Sequence, residues 1–248
     1  MPDPQSFLLL KNVVLKAGRR AFDERLCAGE IVGLAGLDGH GQETFLEAAV
    51  GLEPLASGSI ELDVSGRANP VSNFHSGARQ GLAYLPRDRR TAGIFPNLSV
   101  LDNFAISSLW RDVRAGLINL RSRRERFALF RERLSIAVND TDASIARLSG
   151  GNQQKVLLAR LLARDPIALL LNDPTRGVDV ATRRILYRIF RELAGAGMII
   201  GVLSTEIEEL TGLCDRVLVF REHELVARLA AERLSPTYVI AAMFGETV

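Results

Sequence analysis

Three short stretches gather the residue types that handle phosphate and metal. Leu148-Ser149-Gly150-Gly151-Asn152-Gln153-Gln154-Lys155 places two glycines after a serine, at the start of a helical pattern. Backbone N–H groups exposed at the positive end of a helix suit a phosphate. Gly36-Leu37-Asp38-Gly39-His40-Gly41-Gln42-Glu43 follows an apolar run and opens a helical one, the context that a phosphate-cradling loop requires. Its glycines let the backbone wrap a phosphate without side-chain clash. Yet Gln42 stands where a lysine would reach the outer phosphates, and Glu43 where a hydroxyl would hold Mg²⁺, so the bare pattern fails. Leu169-Leu170-Leu171-Asn172-Asp173-Pro174-Thr175-Arg176-Gly177-Val178-Asp179 is an apolar run that ends in polar side chains. At the carboxyl edge of a parallel sheet such side chains face ligands, although a single Asp there also serves as a helix cap.

The elements needed to position these stretches are legible around them. Phe7 to Leu15, Ile31 to Ala35, Ser59 to Val64, Leu82 to Leu85, Ile167 to Leu171, Met198 to Leu203, Arg216 to Phe220 and Leu225 to Leu229 read as strands. Glu43 to Val50, Gln153 to Ala163, Ala181 to Ala194 and Ile207 to Leu213 read as helices. Ser72 is placed to cap a short helix, Ser235 to open a last one toward Phe244, and Gly66 to Pro70 reads as a loop. Val100 to Leu134 reads as helical and arginine-rich, with Arg121, Arg123, Arg124, Arg126, Arg131 and Arg133 expected on a solvated face, a docking face for a partner being the alternative. Strand and helix alternating at these lengths predict an α/β fold with a largely parallel sheet, interrupted by a helical insertion.

The three stretches together resemble the ATP-binding cassette (ABC) family, in order and spacing, over nearly the whole chain. Ser149-Gly150-Gly151-Asn152-Gln153-Gln154-Lys155 with Pro174-Thr175-Arg176-Gly177-Val178-Asp179 is similar to the cassettes of bacterial monosaccharide importers and the related nucleoside importers. Those carry two cassettes in one polypeptide, and Tyr84-Leu85-Pro86-Arg87-Asp88-Arg89-Arg90 resembles their second one. The resemblance implies a single nucleotide-binding domain over 1–248. Its core is a P-loop-type parallel sheet with an antiparallel β edge from the N-terminal segment, and an α-helical signature subdomain spans about 100–162.

It also implies site residues. Gly36, Asp38, Gly39, His40, Gly41, Gln42, Glu43 and Thr44 fall on the Walker A loop, and Arg87 on the Q-loop. Ser149, Gly150 and Gly151 fall on the signature loop, which closes over ATP on the opposite cassette. Asn172 falls on the Walker B aspartate, Asp173 on the catalytic glutamate, Asp179 on the D-loop aspartate and Thr205 on the switch histidine. No aromatic residue falls clearly at the adenine-stacking position; Phe22 is the nearest and also reads as core.

The departures cluster in one half-site. Glu43 adds a negative charge beside the phosphates, worth on the order of 4 kcal/mol of repulsion at about 4 Å and an effective dielectric of about 20. Mg²⁺ held weakly by Glu43 and Asn172 would offset it. Asp173 is a methylene shorter than a glutamate base, and Thr205 carries no charge. Hydrolysis at this site is therefore expected to be slow or absent, whereas the signature loop is intact.

The implied ligands are ATP and Mg²⁺. The implied partners are a second cassette with competent Walker motifs, a transmembrane permease and, indirectly, a periplasmic solute-binding protein. The expected place is the cytoplasmic face of the bacterial inner membrane, where the cassette energises import of a small polar solute such as a sugar. A non-hydrolytic regulatory or scaffold module, a nucleoside-importer cassette and a soluble ABC ATPase of repair or translation are the alternatives. The absence of a coiled-coil insertion and the sugar-importer-like motifs argue against the last.

Composition fits this class. The 248 residues are 47% hydrophobic and 24% charged, proportions of a globular chain with a large core, and the net charge of +2 gives no field for nucleic acid. Cys27 and Cys214 lack metal-like spacing and read as reduced, buried thiols. Met-Pro-Asp-Pro-Gln does not read as a signal peptide, and no apolar run reaches the roughly 18 residues of a membrane span.

Overall fold

The computed structural model describes residues 5–114 and 116–246. The chain divides into two compact units. The first comprises Met1–Tyr84, Ile167–Pro174 and Phe190–Val248; the second comprises Leu85–Pro166 and Thr175–Ile189.

In the first unit, β1 (Phe7–Val14), β2 (Phe22–Cys27), β4 (Ser57–Val64) and β5 (Arg67–Pro70) form an antiparallel sheet in the order β2-β1-β4-β5. β2 escaped the sequence reading because charged Asp23, Glu24 and Arg25 interrupt its apolar run. β5 corrects the expected loop. Ser65 and Gly66 both adopt positive φ (55° and 79°), forming a two-residue turn of the hairpin type that returns the chain onto β4.

The larger sheet runs β12-β11-β3-β10-β9-β6, from β3 (Ile31–Gly36), β6 (Leu82–Leu85), β9 (Ala168–Asn172), β10 (Ile199–Leu203), β11 (Arg216–Arg221) and β12 (Glu224–Ala230). β11, β3, β10 and β9 pair in parallel, and β12 closes one edge antiparallel. β9 and β10 are buried at every position, which explains their unbroken apolar runs.

Helix α1 (Gln42–Ala49) leaves the β3 end and buries Phe45 and Leu46 in the core. There Phe45 packs 5.1 Å from the Phe220 ring and 6.1 Å from that of Phe22. Phe22 is thus part of the core edge. Helix α2 (Phe74–Gln80) is capped by Asn73, whose side chain accepts from the Ser76 N–H. The cap lies one residue beyond the expected Ser72, because Asn73 with Ser76 completes a reciprocal capping box.

The second unit holds α3 (Val100–Ala105), a hairpin of β7 (Val113–Arg114) and β8 (Leu117–Ile118), α4 (Leu120–Arg133) and α5 (Gly150–Leu162). α6 (Val180–Gly195) begins in this unit and ends in the first. The first unit also carries α7 (Ile207–Leu213) and α8 (Pro236–Phe244), the latter capped by Ser235 as expected.

The stretch from Val100 to Leu134 is therefore broken rather than continuously helical. Nor do its arginines all face water. Arg123 is buried and, with Arg126, turns inward onto the fully buried carboxylate of Asp112. Cys214 is buried, Cys27 is half-buried, and both are free thiols.

Candidate functional site

In the first unit, the turn between β3 and α1 is built by residues that permit close backbone approach. Gly39 and Gly41 adopt φ of 75° and 107°. A side chain at Gly41 would meet the Cα of His223 at 2.7 Å, and the His223 N–H donates to the His40 carbonyl at 2.7 Å. Gly41 stands at the N-cap of α1 and gives no side-chain cap, so the first N–H groups of the helix lack one. Asp38 and Gly39 are exposed, while Glu43 and Thr44 are half-buried in the first turn.

Gln42 folds back into this loop. Its Nε2 donates to the carbonyls of Leu37 at 2.8 Å and Gly36 at 3.2 Å. Its Oε1 is buried and finds no partner, and it lies 2.6 Å from where a Cβ on Gly36 would be. Gln42, expected from the sequence to stand at the lysine position, thus braces the loop from within and brings no positive charge to it.

Glu43 and Asn172, the residues expected to share Mg²⁺, are bonded to each other. Asn172 Nδ2 donates to Glu43 Oε1 at 2.7 Å and to the Tyr84 hydroxyl at 3.2 Å. The Tyr84 hydroxyl in turn donates to Glu47 Oε1 at 3.3 Å. Burial, with the Glu43 charge next, raises the Glu47 carboxyl above its usual range, and burial also raises the Tyr84 phenol.

This donor set does not fit Mg²⁺. An amide N–H points at the carboxylate oxygen that would face the ion, and the Asn172 side chain adds no negative charge beside it. Among the described residues, no group of three or more His, Cys, Asp or Glu side chains is placed to hold a metal. Tyr84 and Glu47 join this network, which the motifs alone do not indicate; a tyrosine on a largely buried strand is the available signal.

Asp173 is likewise engaged with protein. It sits in the left-handed region at φ 48°, and its Oδ1 accepts from the Thr205 N–H at 2.8 Å and the Thr205 hydroxyl at 3.3 Å. Gln42, Glu43, Asn172, Asp173 and Thr205 therefore all fall in the first unit, tied into three hydrogen-bonded sets.

The second unit carries the other stretch. Ser149 caps α5; its exposed hydroxyl accepts from Asn152 Nδ2 at 3.0 Å, and Asn152 Oδ1 accepts from the Ala137 N–H at 2.8 Å. A Cβ on Gly151 would meet the Thr182 hydroxyl at 2.9 Å. One on Gly150 would lie 2.5 Å from Nη2 of Arg89. Arg89 Nη1 donates to the Arg176 carbonyl at 2.7 Å, so its guanidinium joins the turn after β6, the Gly177 loop and the start of α5. Arg89 is another residue that motif reading passed over. Arg87 is half-buried two residues earlier. Asp179 accepts from the Thr182 N–H and hydroxyl at 2.9 and 2.8 Å, bonds that hold its carboxyl below the usual range.

The comparisons with known proteins bear on both units. A model of the family described as ABC transporter matches residues 21–176. The chain belongs to the ABC transporter family. This ABC cassette is 39% identical over 225 residues to a putative ribose/galactose/methyl galactoside import ATP-binding protein of Agrobacterium fabrum, covering 91% of the chain and 44% of that protein. It is 40% identical over 235 residues to a ribose import ATP-binding protein of Burkholderia ambifaria, covering 94% and 45%. The cassette thus spans less than half the length of these relatives.

Among solved structures, the ADP conformation of an ATP-binding cassette of an ABC transporter aligns with TM-score 0.77 at 17% identity, over 98% of this chain and all of that one. A dimeric post-hydrolysis cassette bound to ADP and Pi aligns with TM-score 0.74 at 21% identity, over 90% and 98%. These likenesses establish the cassette's α/β fold. No helix among its described residues is long and apolar enough to cross a membrane.

Proposed function

We propose that this cassette is the hydrolysis-impaired half of an ATP-driven importer for a small polar solute, a sugar. Its signature loop completes the ATP site of a second cassette that carries competent Walker motifs. The observation that carries this reading is the contrast between the two sets of residues. Ser149, Gly150 and Gly151 stand at a capped helix start, with the serine hydroxyl exposed. Gln42, Glu43, Asn172, Asp173 and Thr205 instead each make hydrogen bonds to one another or to their own loop.

In this role the Ser149 hydroxyl and the N–H groups after it orient the γ-phosphate held by the partner, where the helix dipole favours the charge. The loop Gly36–Thr44 retains a weak nucleotide site, and Arg87 and Asp179 line the surfaces that meet permease and partner. The whole of 1–248 acts as one nucleotide-binding domain, with its helical subdomain at about 100–162. The relatives named for ribose and galactose import support the solute class. They are more than twice as long as the matched segment, which leaves room for a second cassette, and the likeness of Tyr84-Leu85-Pro86-Arg87-Asp88-Arg89-Arg90 to the second cassette of such importers is what favours the second position for this chain. A permease at the bacterial inner membrane, fed by a periplasmic binding protein, is the remaining partner.

The test compares Gly150→Asp with Gln42→Lys in the assembled transporter, reading ATPase rate and solute uptake in vesicles. Gly150→Asp adds bulk and charge where the two surfaces meet, and a misplacement of about 1 Å costs on the order of 100-fold. It should abolish turnover. Gln42→Lys should leave turnover near normal, because Glu43 and Asn172 still close the metal position. Normal turnover in Gly150→Asp would replace this reading with that of a scaffold module.

A further inference from the structure

We infer that this cassette holds its nucleotide without a divalent metal ion, the Asn172 amide standing where the ion would be. The inference rests on the reading above that Gly36–Thr44 wraps a nucleotide, and it specifies the state in which the ligand is taken.

The geometry is specific. Asn172 is 1% exposed, so its amide is fixed by its partners and not by water. Both of its donor contacts are spoken for, by Glu43 Oε1 at 2.7 Å and the Tyr84 hydroxyl at 3.2 Å. Rotating the amide by half a turn would set Oδ1 against Glu43 Oε1 at that same short distance, two oxygens in contact with no proton between them. The orientation that presents N–H to the carboxylate is therefore the stable one, although it leaves Oδ1 buried without a partner.

Mg²⁺ needs near-octahedral oxygen ligands at about 2.0–2.1 Å and dehydrates reluctantly. An ion approaching this Glu43 oxygen would meet an amide proton along the line it needs. The usual aspartate is an asparagine here, so the side chain paired with Glu43 brings no negative charge of its own to repay dehydration. Tyr84 and Glu47 hold the arrangement from behind, since the Tyr84 hydroxyl accepts from Asn172 while donating to Glu47. The pair spans 129 positions of sequence, linking the start of α1 to the end of β9. It joins two elements of the same unit, as a metal bridge would, by a hydrogen bond.

The experiment titrates the chain with a fluorescent ADP analogue in excess Mg²⁺ and again in excess EDTA. The expected result is the same affinity in both, or a tighter one in EDTA. A tenfold or greater loss in EDTA, about 1.4 kcal/mol, overturns the inference and leaves the nucleotide reading standing. Nucleotide bound in neither condition sinks the nucleotide reading and the inference together.

A second arm uses Glu43→Ser combined with Asn172→Asp, which restores a hydroxyl and a carboxylate to the ligand positions. Binding by this variant should become EDTA-sensitive. Water-proton relaxation should then report Mn²⁺ held with ADP, a signal absent from the unmodified chain. A variant that binds nucleotide and remains indifferent to EDTA would show that the pair is not what excludes the ion.

Discussion

A hydrogen-bonding group used inside the protein is not available to a ligand without a rearrangement cost. Gln42 spends its amide N–H groups on two carbonyls of its own loop, and Asp173 spends an oxygen on the Thr205 backbone. On the proposed reading, Gln42 brings no charge to a phosphate, and the Asp173 oxygen that accepts from Thr205 is held away from the role of a base. The isolated chain is accordingly predicted to release phosphate from saturating Mg-ATP far more slowly than about 1 s⁻¹, the low end of ordinary enzyme turnover. A steady-state phosphate assay checks it, and turnover at or above that rate contradicts the assignment. The residue identities were legible in the sequence, because Gln42, Glu43, Asn172 and Thr205 sit at fixed offsets within recognisable stretches. Their partners were not. The bond between Glu43 and Asn172 crosses 129 positions, and the turn of Gln42 into its loop depends on a side-chain rotamer that no spacing encodes.

At the scale of elements, continuous burial announced β9 and β10, and the serine at the start of α8 announced its cap. Legibility failed where tertiary pairing overrides local pattern. β2 carries Asp23, Glu24 and Arg25, yet it pairs with β1 because Glu24 meets Arg216 and Arg228, both at 2.8 Å. The arginines of α4 make the same point. Asp112 is fully buried and accepts from Arg123 Nε at 3.2 Å and from Arg126 Nη2 at 2.8 Å and Nε at 3.1 Å. Arg123 also reaches Asp102 at 2.7 Å, tying α3 to α4 beside the Phe104 and Phe127 rings. Removing one partner of such a buried set strands the remaining charges, at a cost of roughly 3–5 kcal/mol. Asp112→Ala should therefore lower the urea-unfolding free energy by that order. Arg121→Ala, on an exposed i,i+4 pair with Glu125, should change it by less than about 1 kcal/mol. Equal effects in the two variants would mean that Asp112 is solvated in solution.

At the scale of the whole molecule, the proposed function pairs this cassette with a second one, and the pairing should be selective. Two copies of this chain set head to tail would place each capped signature helix over a loop that carries Gln42 and Glu43 in place of lysine and hydroxyl. Nucleotide can join such a pair only to the extent that both loops bind it, since a ligand stabilises an assembly through its affinity for that assembly alone. A nucleotide held as proposed would meet the Glu43 carboxylate at each loop, a repulsion on the order of 4 kcal/mol at about 4 Å and an effective dielectric of about 20. The net charge of +2 adds little attraction or repulsion between copies, so the local site decides the outcome. The chain is predicted to sediment as a single species of 27.1 kDa both without nucleotide and in saturating Mg-ATP. A competent cassette added in equal amount should shift it to a heterodimer when ATP is present, because the intact loop of this chain then faces a loop with its lysine. Sedimentation velocity distinguishes the cases, and a tight ATP-dependent homodimer would show that the eroded loop binds phosphate well enough to serve both halves.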